Sequence, residues 1–191
     1  MRRWRWRGFK WRAMALLVFG RRGAALRELQ AMRAEFPDDA YALASIANLQ
    51  AQSGATEAAL ATMEQLLALH PGDGTHWFNC GFLLEANERY AEAESAFRRA
   101  VALRPGLDRA WYGLGLCLIR LGRLEEAVDA LKRNTQLQPM SPYGWYQLAR
   151  VHADRQEPEE ALRIIRHLSR FEPKVAAQLE RETGLLASPA S

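Results

Sequence analysis

The sequence has little with which to staple itself. Cys80 and Cys117 are its only cysteines, too few for a disulfide framework and without the spacing of a metal site; both read as small core residues. No apolar run approaches the roughly 18 residues that cross a bilayer. There is no glycine-rich phosphate loop and no nucleophile elbow. His70, His76, His152 and His167 show no pairing at metal spacing. His70 precedes a proline at a helix end, where a cation is favoured, and His152 falls on an apolar core position. Glu125-Glu126 and Glu159-Glu160 open helical patterns, where the macrodipole favours acids, so neither reads as an acid/base pair. With no convergent catalytic set, no enzyme, cofactor or metal is expected.

Charge is unevenly spread along the chain. The formal net charge is +4, but residues 1–39 hold ten Lys/Arg against four Asp/Glu, whereas residues 40–107 hold four against seven and residues 108–191 twelve against eleven. The excess therefore belongs to the N-terminus. This weakens the case for nucleic acid, which calls for a basic face on the body of a domain. The stretch 1–19 has the charge pattern of a leader, basic then apolar. The apolar part, Ala13–Phe19, is short, and Arg21 and Arg22 follow it with no small-residue cleavage pattern, so it reads as mature structure.

Proline and glycine are scarce but regularly placed. Pro37, Pro71, Pro105, Pro139 and Pro173 lie 34 residues apart. Ala25, Ala59, Ala93, Ala127 and Ala161 keep the same interval, as do the small residues Ala13, Ala47, Gly81, Gly115 and Ala149. Five units follow: 6–39, 40–73, 74–107, 108–141 and 142–175. Each carries two helical patterns. Trp111, Leu114, Gly115 and Leu118 recur at i, i+3, i+4 and i+7, and Leu124, Ala127, Val128 and Leu131 repeat that spacing. Gly20, Gly54, Asn87, Gly122 and Pro158 are the expected breaks between paired helices. Asp39, Asp73 and Ser141 are the expected N-caps, the last followed by proline at the first helical position. The small columns let helices approach closely, and Trp77, Trp111 and Trp145 fill the space between them.

These residues resemble the tetratricopeptide repeat, whose 34-residue pattern has Trp, Leu, Gly and Tyr in the first helix, Ala and Phe in the second, then Pro. The fourth unit reads Trp111, Leu114, Gly115, Leu118, Ala127, Leu131, Pro139, and the third reads Trp77, Cys80, Gly81, Leu84, Ala93, Phe97, Pro105. The second unit has Leu43 in place of the tryptophan. The first has Phe9 there, and Arg12 where an apolar residue is expected. The resemblance covers residues 6–175 and implies an all-α, right-handed α-α superhelix of five helix-turn-helix units. Residues 1–5 form a basic overhang in this reading. Residues 176–191 supply the rest of a capping helix, Val175–Thr183, and a loose tail, Ser188–Ser191.

The resemblance further implies a protein-binding role, with the first helix of each pair lining a concave groove. Carried onto this sequence, the inward positions are Tyr41, Asn48, Phe78, Phe82, Glu85, Arg109, Tyr112, Leu116, Tyr143, Tyr146 and Arg150. Aromatics and arginine dominate binding energy at interfaces; the bland alternative is that Phe78, Tyr112 and Tyr146 pack on neighbouring helices. A subset of the family traps a terminal carboxylate with a clamp of cations and asparagines. The matching positions here read Ala44, Asn48, Asn79, Arg109 and Gly113. Both asparagines and one cation are present, which is a poor carboxylate trap, so Asn48 and Asn79 are expected to bond the backbone of an extended ligand.

The N-terminal run sets Arg2, Arg3, Trp4, Arg5, Trp6, Arg7, Lys10 and Trp11 in alternation. Such a mix suits an anionic membrane surface or stacked nucleic-acid bases; the bland reading is a terminal first helix with a basic overhang. The expectation is a non-enzymatic adaptor or assembly factor that holds a peptide or helix of another protein. A bacterial, cytoplasmic setting is suggested by its compact, Arg/Ala-rich composition. The alternative is a membrane-peripheral scaffold anchored by residues 1–12. Self-association through the solenoid ends is a further expectation, because such ends expose apolar helix faces.

Overall fold

The computed structural model describes residues 2–186, and these form eleven α-helices with no strand among the described residues. Ten helices make five antiparallel pairs joined by short turns: α1 (Arg2–Val18) with α2 (Arg22–Glu35), α3 (Ala40–Gln52) with α4 (Thr56–Leu69), α5 (Gly74–Ala86) with α6 (Tyr90–Leu103), α7 (Asp108–Arg120) with α8 (Leu124–Leu137), and α9 (Pro142–Asp154) with α10 (Pro158–Leu168). The last helix, α11 (Pro173–Thr183), packs on both α9 and α10. It starts at its proline, two residues before the expected Val175. The tail Ser188–Ser191 lies outside the described residues. The expected overhang, residues 1–5, is helical from Arg2, so α1 runs 17 residues against 13 for α3.

The five-fold columns acquire their reasons in the packing. The second-helix alanines Ala25, Ala59, Ala93, Ala127 and Ala161 are all fully buried. Phe97 is 1% exposed and lies between two glycines. A Cβ on Gly81 of its own repeat would stand 2.8 Å from its ring, and one on Gly113 of the next repeat 2.5 Å. Glycine is thus required where one large side chain fills the space between three helices. Similarly, Asn134 is buried and donates to the Asp108 carbonyl at 2.9 Å, in space left by the missing side chain of Gly144.

Trp77, Trp111 and Trp145 do more than fill volume. Each indole N–H donates to the carbonyl of the proline closing the preceding repeat: Pro71 at 2.9 Å, Pro105 at 2.8 Å and Pro139 at 2.9 Å. These solvent-exposed hydrogen bonds tie the third, fourth and fifth repeats each to the one before, each worth about 1 kcal/mol.

The turns within pairs differ from the sequence expectation at two places. Gly20, Gly54 and Gly122 take φ of 69, 80 and 71°, as a left-handed helix-ending residue should. In the third and fifth repeats, however, that residue is Glu88 or Gln156, each at φ 60°, rather than Asn87 or Pro158. Asn87 instead closes α5 with its side-chain amide, donating to the Leu83 carbonyl at 2.7 Å, and Pro158 begins α10. Among the N-caps, Asp39 accepts from the Ala42 N–H at 2.8 Å and Asp73 from the Thr75 N–H at 2.7 Å. Ser141 occupies the cap position without a side-chain cap bond.

First helices α5, α7, α9 and α11 touch one another along the stack. The second helices make no comparable mutual contact among the described residues. Elements that crowd together lie at the smaller radius, so the first helices line the inner, concave side of the solenoid.

Candidate functional site

The inner face divides into three stretches. In the middle, Phe78 packs on Phe97, with ring centroids 6.0 Å apart, and on Phe82 at 6.5 Å. The Arg109 guanidinium sits 5.7 Å over the Phe78 ring. Phe82 is 61% exposed, a large apolar side chain offered to solvent in the centre of the groove. Phe78 is thus partly a packing residue, whereas Phe82 and Arg109 are presented. Asn79 is half-buried and Asn48 is exposed, accepting from Gln52 at 3.3 Å.

Further along, Glu85, Leu116, Ile119, Arg120, Gln147, Arg150, Val151 and Asp154 line a cavity of about 320 Å³. Two carboxylates and two guanidiniums share its rim over an aliphatic floor, a mixed lining suited to a peptide backbone with side chains of either sign. Tyr112 stands half-buried beside it; burial, opposed by a hydrogen bond from the Gln147 side, pushes its hydroxyl above the usual tyrosine range. Tyr143 is 70% exposed.

At the C-terminal end the groove is closed by the chain itself. Tyr146 donates its hydroxyl to Glu182 of α11 at 2.5 Å, and Gln178 of the same helix donates to that hydroxyl at 3.4 Å. Arg150 lies 5.8 Å from the Tyr146 ring. The hydrogen bond to Glu182 raises the Tyr146 pKa and holds the Glu182 carboxyl below the usual range. Tyr146 therefore fastens the capping helix. At the other end, Tyr41 is covered by Lys10, whose ammonium stands 4.5 Å from its ring centre.

The clamp positions explain themselves. Gly113 holds the place of a flanking cation, and Phe97 leaves no room for any side chain there. The residues that sequence reasoning passed over, Arg120, Gln147 and Asp154, sit one turn beside the inward positions chosen, and Gln178 and Glu182 come from the cap. The periodicity of the first helices could have indicated the former, since those positions also flank the groove; nothing in the repeat pattern indicates the latter.

The N-terminal set is split between uses. Arg2 opens α1. Arg5 pairs with Glu35 at 3.0 Å, Trp6 donates its indole N–H to Asp39 at 2.6 Å, and Lys10 lies 5.2 Å from the Trp6 ring centre. Arg12, the residue that breaks the pattern, is paired with Glu28 at 2.9 Å and lies 4.9 Å from the Phe9 ring centre. By contrast Trp4 and Trp11 are 83% and 68% exposed, and Arg3 and Arg7 are exposed.

Other titratable groups have structural duties. His152 is buried with Nδ1 2.6 Å from Glu157, and His167 lies between Trp145 and Phe171. Burial pushes the Cys80 thiol up to about 11 and Cys117 up to about 12, which keeps both protonated and unreactive. Among the described residues no group of three or more His, Cys, Asp or Glu could hold a metal ion, and no helix is long and apolar enough to cross a membrane.

Two family models, both described as tetratricopeptide repeat, match residues 16–79 and 81–133. No curated protein sequence matches. Among solved structures, MamA 41-end from Desulfovibrio magneticus RS-1 is 21% identical with a TM-score of 0.78, covering 93% of this chain and 96% of that one. YrrB, described as a TPR protein with an unusual peptide-binding site, is 21% identical with a TM-score of 0.77, covering 88% of each chain. A tetratricopeptide repeat protein from Parabacteroides merdae is 19% identical with a TM-score of 0.81, covering 94% of this chain and 73% of that one.

Proposed function

The chain belongs to the tetratricopeptide repeat family, and on that premise we propose that it is a non-enzymatic adaptor or assembly factor, acting in the cytoplasm, that holds an extended peptide or a helix of a partner protein along its concave face. The carrying observation is the pair of aromatic side chains that the inner face leaves bare, Phe82 at 61% and Tyr143 at 70% exposure. They flank a groove whose rim offers Arg109, Arg150 and Glu85 as polar hooks. Exposed aromatics beside arginine are the side chains that become hot spots when covered. The description of YrrB as a peptide binder supports the reading by likeness of fold. Closure of one end by α11 favours recognition along the ligand rather than of its terminus.

Pull-down with the full chain and with a Phe82→Ala/Tyr143→Ala double variant tests this. Both side chains are exposed, so the fold and melting temperature are expected to persist while a specifically recovered protein is lost. Equal recovery by both forms contradicts the concave-face reading. The membrane-peripheral alternative draws less support, because Arg5, Trp6 and Lys10 are occupied within the fold.

A further inference from the structure

Successive repeats are bridged by polar side chains on the outer helices at every joint but one. Arg33 of α2 donates to Gln65 of α4 at 2.5 Å. Arg98 of α6 donates to Glu126 of α8 at 2.6 Å while also holding Glu94 of its own helix, and Arg123, at the head of α8, reaches back to Glu94 at 3.3 Å. Arg155, between α9 and α10, stands 3.7 Å from Glu125 of α8. From α4 to α6 no hydrogen bond or ion pair runs among the described residues. The sequence supplies the reason. Leu60 and Glu64 stand 34 residues before Glu94 and Arg98, so an apolar side chain and an acid replace the anion and the cation that close the next joint. Arg89, in the place of Arg123, turns onto Glu92 of the helix it precedes, at 2.6 Å.

The unbridged joint is an open cavity of about 900 Å³. Trp77, Cys80 and Leu84 of α5 form its floor, with Leu60 and Leu67 of α4 and Ala96 of α6 on its walls. The floor residues lie on another side of α5 than Phe78, Phe82 and Glu85, so the cavity is separate from the concave groove. Two charges line it from opposite walls, Glu64 on α4 and Arg99 on α6. Both are exposed, and neither has a hydrogen-bond, ion-pair or ring partner among the described residues. In the fifth repeat the place of Arg99 is taken by His167, whose ring lies 4.6 Å from that of Trp145; Trp77 has no such cover.

We propose that this cavity seats an amphipathic α-helix of a partner protein, with a leucine seam over Trp77 and Leu84, basic side chains on the flank facing Glu64 and acidic ones on the flank facing Arg99. The molecule itself shows the contact that is missing. At the next joint the stem and guanidinium of Arg98 fill the corresponding place and satisfy carboxylates on both outer helices. Helices α4 and α6 have 14 residues each, about 21 Å of length, and the trough between two such helices accepts the ridge of a third. An acyl chain would satisfy neither wall, and an anionic bilayer would answer Arg99 but meet Glu64 and Glu92. Helix α8, beyond α6, takes no part in the site. The site does not depend on the concave-face reading.

The test follows the Trp77 indole N–H signal of the ¹⁵N-labelled full chain, assigned with Trp77→Phe. The probe is an 18-residue, end-blocked helical peptide with leucine at i, i+3, i+4 and i+7, lysine along one flank and glutamate along the other. The signal is expected to shift and saturate. Glu64→Arg sets a cation where Arg98 stands at the next joint; its circular dichroism is expected to match the parent, and its closed groove to weaken the peptide about tenfold or more, as loss of a facing charge pair implies. Arg99→Glu is expected to weaken the peptide about tenfold, and a peptide with lysine on both flanks to recover that loss in Arg99→Glu while binding the parent about tenfold more weakly. An unmoved signal at about 1 mM peptide, the weakest range of measurable affinity, overturns the proposal. So does a folded Glu64→Arg chain that binds as the parent does, or indifference to the flank charges. Shifts seen only with phosphatidylglycerol vesicles overturn it in favour of a membrane surface, and concentration-dependent shifts without peptide overturn it in favour of a second copy.

Discussion

Helices α1 and α7 hold the same place in their repeats, yet one is walled in and the other is half bare. In α7 the positions facing the preceding repeat are Ala110, Gly113 and Cys117, all buried. In α1 they are Gly8, Trp11 and Ala15, and Trp11 looks outward. The difference teaches that equal places in the repeat do not carry equal faces. A face that is small and apolar inside the array becomes large, aromatic and rimmed with cations where the described chain places nothing against it. The hydrophobic effect alone does not ask for that composition.

The comparison predicts a steep gradient of mutational cost. Phe97→Ala empties the space shared by Gly81 and Gly113, and should destabilise by about 3–5 kcal/mol, read from the urea midpoint. Gly113→Ala drives a Cβ into the Phe97 ring and should cost about 1–3 kcal/mol in the same assay, although its counterpart in α1 is a tryptophan. Trp111→Phe keeps the ring but loses the hydrogen bond to Pro105, for about 1 kcal/mol. Gln156→Gly relieves a left-handed residue and should stabilise by about 1 kcal/mol, raising the melting temperature. Trp11→Ala should change stability by no more than about 0.5 kcal/mol; a cost near that of Phe97→Ala would show that the bare face is a core after all.

The repeat was legible because 34-residue spacing repeats a packing requirement, and each column records one. The alanine column marks the closest helix contacts, and the tryptophan column marks the joints. The left-handed residue could not be located from glycine alone, because Glu88 and Gln156 occupy it where the turn around them holds the conformation. The inward side chains were legible as a list of positions but not as an open surface. The pattern assigns Tyr41 and Tyr146 to the inner face, yet Lys10 of α1 and Glu182 of α11 reach them. Contacts made by the ends lie outside any periodic rule. The duties of Arg5, Trp6 and Arg12 were hidden for the same reason: each is fixed by a contact with a carboxylate about 16 to 33 residues away, and no repeat column specifies those contacts.

The central claim is the proposal that a partner is held along the concave face. Site-specific photocrosslinking in cells addresses it directly, with a benzophenone amino acid placed at Tyr143 on α9 or at Asp129, exposed on the outer helix α8. The account predicts a discrete crosslinked protein from position 143 that disappears with Phe82→Ala, and none from position 129. Equal products from both positions, or a product from 129 alone, would contradict it.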